Sequence, residues 1–125
     1  KTFKNFFNEI KIVKKKTKKY LNSLIDKNKQ IHGYGASTKG NVLLQYFNID
    51  KNYINFIADR NPRKYNHYTP GTKIKIISEK ESRKKLPDYY FVLPWHFKEE
   101  ILKREIKMRK KGCKFIFPLP NLQVY

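Results

Sequence analysis

Apolar side chains recur at Phe3, Phe6, Phe7, Ile10, Val13, Tyr20, Leu21, Leu24 and Ile25, the three-and-four spacing of a helix with one buried face. Lys14-Lys15-Lys16 and Lys18-Lys19 fall mostly on its opposite side. Beyond residue 28 the pattern shortens and alternates. Residues 31–34 predict a strand, 38–47 a helix carrying Val42, Leu43, Tyr46 and Phe47, and 53–58 a second strand that ends at Asp59. A polar connection over 60–73 follows, punctuated by Asn61-Pro62 and Pro70-Gly71. Residues 73–77 predict a short strand, 79–85 a helix closed by Pro87, and 89–93 a strongly apolar strand stopped by Pro94. Residues 97–111 predict an amphipathic helix through Phe97, Ile101 and Ile106, ended by Gly112, and 114–117 a last strand stopped by Pro118.

Strands that alternate with helices form parallel sheets with right-handed crossovers. The expected fold is therefore α/β, a Rossmann-like three-layer sandwich of about five mostly parallel strands in the order 3-2-1-4-5, with helices on both faces and a leading N-terminal helix. Residues 1–28 are expected to form the leading helix or connector and 29–125 the Rossmann-like domain. At 125 residues the chain accommodates one core. It begins at Lys1 rather than Met, and a piece of a longer protein is the expectation.

Composition changes this picture little. The net charge of +19 and pI near 10.0 invite a polyanion partner. Lysine, however, far outnumbers arginine, alanine occurs only at Ala36 and Ala58, and Asn, Ile, Tyr and Phe abound, a pattern that AT-rich coding produces without selection for binding. Neither nucleic acid nor a membrane surface is the expected partner, and the Lys14–Lys19 face is kept as a third reading. The single cysteine, Cys113, excludes a disulfide framework and suits a cytoplasmic setting. No apolar run approaches the roughly 18 residues of a membrane span.

Chemistry concentrates in Gly33-Tyr34-Gly35-Ala36-Ser37-Thr38-Lys39-Gly40, a strand-to-helix turn holding three of the five glycines. Such a turn can leave backbone N–H groups uncovered at a helix N-terminus, where a phosphate or carboxylate is favoured. Lys39, disfavoured in a first helical turn by itself, would be balanced there by an anion, with the Ser37 and Thr38 hydroxyls beside it. The alternative is a βα turn whose glycines serve packing alone. The sixth position of the dinucleotide fingerprint is Thr38 rather than glycine, which argues against a standard NAD loop. Asp59 lies where an acidic residue would accept from ribose hydroxyls. Trp95-His96, after the strand-ending Pro94, reaches the same predicted rim: Trp95 either stacks on a ligand or covers the sheet end, and His96 either donates to a ligand or caps the next helix. His32 reads as structural and His67 as exposed. No catalytic constellation and no metal-ligand spacing appears, so the stretch reads as a binder.

The segments Gly33-Tyr34-Gly35-Ala36-Ser37-Thr38-Lys39-Gly40-Asn41, Asp59-Arg60-Asn61-Pro62, Tyr68-Thr69-Pro70-Gly71-Thr72 and Leu93-Pro94-Trp95-His96-Phe97, in that order, resemble the C-terminal domain of bacterial SAM-dependent C-methyltransferases that act on nucleotide-linked deoxysugars. Phe115-Ile116-Phe117-Pro118-Leu119-Pro120 is similar to that family's last strand and tail. The resemblance covers about residues 30–125. Gly112-Cys113 and Tyr65-Asn66 depart from the family's habit of paired glycines and a small-residue turn.

The resemblance implies a substrate-binding domain for a nucleotide-diphosphate sugar, inactive alone, with methyl transfer to C3 of a 4-keto sugar performed elsewhere. It implies SAM and a structural zinc in upstream domains, and an upstream SAM-binding domain of the same polypeptide as partner. The site residues it carries over are Gly33, Tyr34, Gly35, Ala36, Ser37, Thr38, Lys39, Gly40, Asp59, Asn61, Thr72, Trp95 and His96. A free-standing nucleotide- or NAD-binding module is the alternative.

Overall fold

The structure, a computed structural model, describes residues 3–125, with side chains within the first helix from Asn8 onward. The side chains of the predicted seam positions Phe3, Phe6 and Phe7 lie outside the described residues. Helix α1 (Phe3–Asp26) leads into β1 (Ile31–Tyr34), α2 (Thr38–Tyr46), β2 (Phe56–Asp59), β3 (Lys75–Ser78), α3 (Glu79–Lys84), β4 (Tyr89–Val92), α4 (Lys98–Arg104), α5 (Ile106–Lys110), β5 (Lys114–Phe117) and β6 (Gln123–Val124).

The sheet order is β3-β2-β1-β4-β5-β6. The pairings from β3 to β5 are all parallel, with Gly33 opposite Ile57 on one side and Phe91 on the other. This is the expected 3-2-1-4-5 arrangement with one addition. β6 folds back antiparallel to β5, pairing Val124 with Ile116. The sequence pattern missed it because two exposed residues carry no alternation to read.

Alternation along the strands divides the core into two layers. Ile31, Ile57, Ile76, Phe91 and Ile116 face one way and meet Val13, Leu21 and Leu24 of α1 and Leu43, Leu44 and Phe47 of α2. Tyr34, Ala58, Tyr90, Val92 and Phe115 face the other way and meet Ile101 and Leu102 of α4 and Met108 of α5. The leading helix is thus part of the main core.

Two predicted helix faces are rotated. Val42 and Tyr46 of α2 are exposed, and Leu44 takes the buried position instead. The predicted 97–111 helix is a 3-10 turn (Trp95–Phe97) followed by α4 and α5, which meet at Glu105. Phe97 and Ile106, read as core positions, are exposed, whereas Glu105 is buried. Residues 53–55 and 73–74 precede their strands rather than belonging to them. Helices α1 and α2 end in left-handed residues, Asn28 (φ 59°) and Asn48 (φ 55°), and α5 ends at Gly112 (φ 98°), the conformation that closes a helix by bonding its last free carbonyls.

Candidate functional site

Because β1 to β5 run parallel, their carboxyl ends share one rim, where the turn after β1, the Asp59–Tyr65 segment, Pro94-Trp95-His96 and the tail after β5 converge. Thr72 is the exception. It precedes β3, at the amino ends of the strands, where it is 5% exposed and its hydroxyl bonds that of Thr69. It thus lies apart from the other residues that the resemblance carries over.

The three glycines of the first turn have separate structural reasons. A Cβ on Gly33 would lie 2.7 Å from Ile57 Cγ1, and one on Gly40 would lie 2.8 Å from Leu93 Cβ, so both exist to let backbone pack closely. Gly35 has φ +85° and faces Pro94, so it is the residue that makes the turn. The Tyr34 side chain points to the opposite helical layer, where it is buried and its hydroxyl donates to Glu105 at 2.8 Å.

Several of the amides expected to stand open already have acceptors. Gly35 N–H donates to Ala58 O at 2.8 Å, Ala36 N–H to Asp59 Oδ2 at 2.7 Å, and Gly40 N–H to the Ser37 side-chain oxygen at 3.0 Å. Ser37 is therefore the N-cap of α2. The N–H groups of Thr38 and Lys39, the first two of the helix, have no intrahelical partner by geometry and make no bond among the described residues. The anion-favouring part of the turn is thus narrower than its sequence suggests.

Asp59 supplies the carboxylate that fills the rest. Its Oδ1 accepts Asn61 N–H at 2.8 Å while Oδ2 holds Ala36, so it ties two rim segments together rather than standing open to a ribose. Lys64 completes the tie by donating to Ala36 O at 2.6 Å, with its Nζ 4.0 Å from Asp59. Asn61 caps the 3-10 turn Pro62–Lys64 by accepting from Arg63 N–H at 3.1 Å. Lys64 was not among the sequence candidates; a lysine in a lysine-rich chain carries no signal of its own.

Trp95 stands half-buried between two grooves. One, of about 600 Å³, lies between it, Ile10 and Val13 of α1, and Leu119 and Leu122 of the tail. The other, of about 550 Å³, lies on the His96 and Phe97 side. His96 is exposed and stacks on the Trp95 ring with centroids 4.3 Å apart. It does not cap α4, whose N-cap, Phe97, makes no side-chain bond.

On the opposite helical layer a buried polar network links the strands to α3, α4 and α5. His32 Nδ1 and Ser82 Oγ are 2.6 Å apart, and Ser82 Oγ and Tyr90 OH are also 2.6 Å apart. Burial, aided by the nearby Lys85 charge, lowers His32 from 6.5 to about 4 and leaves it neutral. The His32–Ser82 contact resembles a nucleophile with its base, but both residues are at most 2% exposed, so it braces the sheet and reaches no substrate. Glu105, 3% exposed, accepts from Arg83 at 2.9 and 3.2 Å and lies beside Arg104, which also donates to Tyr34 OH. Burial likewise raises the Cys113 thiol to about 12, which removes it as a nucleophile.

No group of three or more His, Cys, Asp or Glu able to hold a metal occurs among the described residues, so the residues present do not fit a zinc. They suit a SAM or NAD ribose poorly as well, since the carboxylate at the end of β2 is engaged by backbone N–H groups. No helix among the described residues is long and apolar enough to cross a membrane.

The family described as the C-methyltransferase C-terminal domain matches residues 1–120, and the chain belongs to that family. C-methyltransferase NovU of Streptomyces niveus is 30% identical to it over 122 residues, covering 98% of this chain but only 29% of NovU. The chain thus spans less than a third of the length of this curated relative.

Proposed function

We propose that this chain is the substrate-holding domain of a SAM-dependent C-methyltransferase, and that it binds a nucleotide-diphosphate sugar at the carboxyl rim of its sheet. The observation that carries the reading is the pair of free N–H groups at Thr38 and Lys39, on the first turn of a helix whose family membership already ties it to C-methyl transfer. The diphosphate would lie against those amides, with the helix dipole and the Lys39 ammonium favouring its charge. Trp95 and His96, stacked at the mouth of the neighbouring grooves, would border the sugar or base. Gly35, Ala36, Asp59 and Asn61 would shape the turn, and Gly33, Tyr34 and Gly40 would support it through packing.

In this reading SAM supplies the methyl group in an upstream domain of the same polypeptide, where a structural zinc would also reside. The residues of this chain bind and orient. Removal of the proton beside the ketone requires a base from outside it. A cytoplasmic setting belongs to the same proposal.

Titration calorimetry of the 125-residue chain with thymidine and cytidine diphosphates, their deoxysugar conjugates, NAD and SAM tests the reading. A diphosphate-containing ligand should bind, Lys39→Ala and Trp95→Ala should each weaken it about 5- to 20-fold, and SAM with any sugar should give no methyl transfer. Binding of NAD in preference to diphosphate sugars, or turnover by this chain alone, would overturn it.

A further inference from the structure

The groove of about 600 Å³ beside Trp95 has the anatomy of a protein interface. Ile10, Ile12 and Val13 of α1 form one wall and Leu119 and Leu122 of the tail the other. The polar residues of its lining, Glu9, Lys16 and Asn121, are all exposed, so an apolar floor is bordered by a polar margin. A small ligand is mostly enclosed by its pocket. Here Ile12 is 54% exposed at the groove, and Phe97 is 56% exposed on the other side of Trp95. Apolar surface that spreads outward in this way suits a macromolecular partner better. The other exposed side chains Tyr68, Leu86 and Ile106 stand on three separate segments.

The tether favours one occupant. The chain matches only 29% of NovU, in a family described as a C-terminal domain, so most of such a relative precedes the matched part. Helix α1 is the first element here, and its residues 10–13 form a wall of the groove. A domain joined ahead of α1 is therefore held at the groove's edge, at an effective concentration of about 1 mM. A bare dissociation constant of about 0.1 mM is then enough to keep it docked. A second copy of this chain has no such tether, and the net charge of +19 opposes its approach. The opposite flank of the rim offers less to a partner. There Arg60, Arg83 and Arg104 already pair with Glu79 and Glu105 at 2.9–3.7 Å.

We propose that the groove between α1 and the tail is where the upstream SAM-binding domain docks, seating an apolar segment against Ile12, Trp95 and Leu122. This rests on the reading above, which puts that domain in the same polypeptide. Trp95 belongs both to the groove and to the carboxyl rim, so a domain seated there stands beside the sugar-nucleotide site. The base that this chain lacks is thereby brought to the rim.

Cysteine footprinting tests this. Cys113, the one cysteine of the chain, is buried with its thiol raised to about 12, so a maleimide leaves it unlabelled. Ile12→Cys and Leu122→Cys report on the groove, and Leu86→Cys and Ile106→Cys on exposed positions outside it. Each is made in the 125-residue chain and in the full-length polypeptide that contains it, and labelling is resolved by peptide mass. The two groove cysteines should react about tenfold more slowly in the full-length protein, the ratio of effective concentration to dissociation constant. The other two should change less than twofold. Adding Ile12→Asp should restore the labelling of Leu122→Cys in the full-length protein while circular dichroism of the 125-residue chain stays the same. Equal rates in the two proteins, or equal slowing at all four positions, would overturn the proposal. Groove labelling in the isolated chain that slows as its own concentration rises would give the groove to a second copy, and overturn it too. Methyl transfer by a full-length protein whose groove labels freely defeats the docking alone. Slowed labelling without diphosphate-sugar binding defeats the substrate reading alone.

Discussion

The carboxylate of Asp59, at the end of β2, accepts the Ala36 N–H at 2.7 Å and so occupies part of the turn that follows β1. A second oxygen of the same group holds Asn61 N–H at 2.8 Å. One acidic side chain thereby fixes the relative position of two rim segments and narrows the free amides to those of Thr38 and Lys39. Asp59→Ala should cost about 2–4 kcal/mol, from two charge-assisted bonds lost and a part-buried amide left unpaired. Asp59→Asn, which keeps an acceptor, should cost about half as much. Urea denaturation midpoints at constant m-value measure both.

Gly40 tests whether the turn is built for packing. Its absent Cβ would meet Leu93 Cβ at 2.8 Å and Leu93 Cδ1 at 3.0 Å, so Gly40→Ala should destabilise by about 1–3 kcal/mol. Shortening Leu93 to Ala in the same protein should recover part of that loss, giving a favourable coupling in the double-mutant cycle. Purely additive costs would show that the close approach of α2 to β4 does not set this position.

His32 makes stability depend on pH in one window. Its folded value near 4 lies below the ordinary 6.5, so between the two the unfolded chain binds a proton that the folded chain does not. The stabilisation is complete above about pH 6.5 and is lost as pH falls toward 4, a swing of about 3 kcal/mol. His32→Phe should remove that component. Unfolding free energies of both proteins at several pH values from 4 to 7 give the difference directly, and parallel curves would refute a neutral, buried His32.

Glu105 is the most consequential acidic residue of the opposite layer. At 3% exposure, with Arg83 on both oxygens and Tyr34 OH donating at 2.8 Å, it anchors the junction of α4 and α5 to β1. Glu105→Ala should cost about 3 kcal/mol, since Tyr34 and the arginines lose their common acceptor. Arg83→Ala should cost less, because Arg104 remains beside the carboxylate at 3.4 Å. Thermal unfolding of the two variants ranks them.

Much of this was legible in the chain. The bounds of β1 and β5 follow from short apolar runs cut by Gly35 and Pro118, and the parallel order from strict alternation of strands and helices. The rim was legible for the same reason, since residues that end successive parallel strands must meet. The Glu105 junction left a trace, a charged residue in register with Ile101 and Met108 on the buried seam of an expected helix, which Phe97 and Ile106 obscured. Lys64 left none.

By itself the sequence determined the layer architecture, the order of the five parallel strands and which turns share the rim, because periodicity and breakers act locally and connection length restricts the rest. Only the tertiary structure decided what each rim residue does. Whether Gly33 and Gly40 make room for a ligand or for Ile57 and Leu93, and whether Asp59 faces solvent or the Ala36 amide, depends on distances between strands far apart in the chain. Charge follows the same division: the count of lysines is a property of the sequence, but which of them share a face arises from which helices the sheet holds on each side.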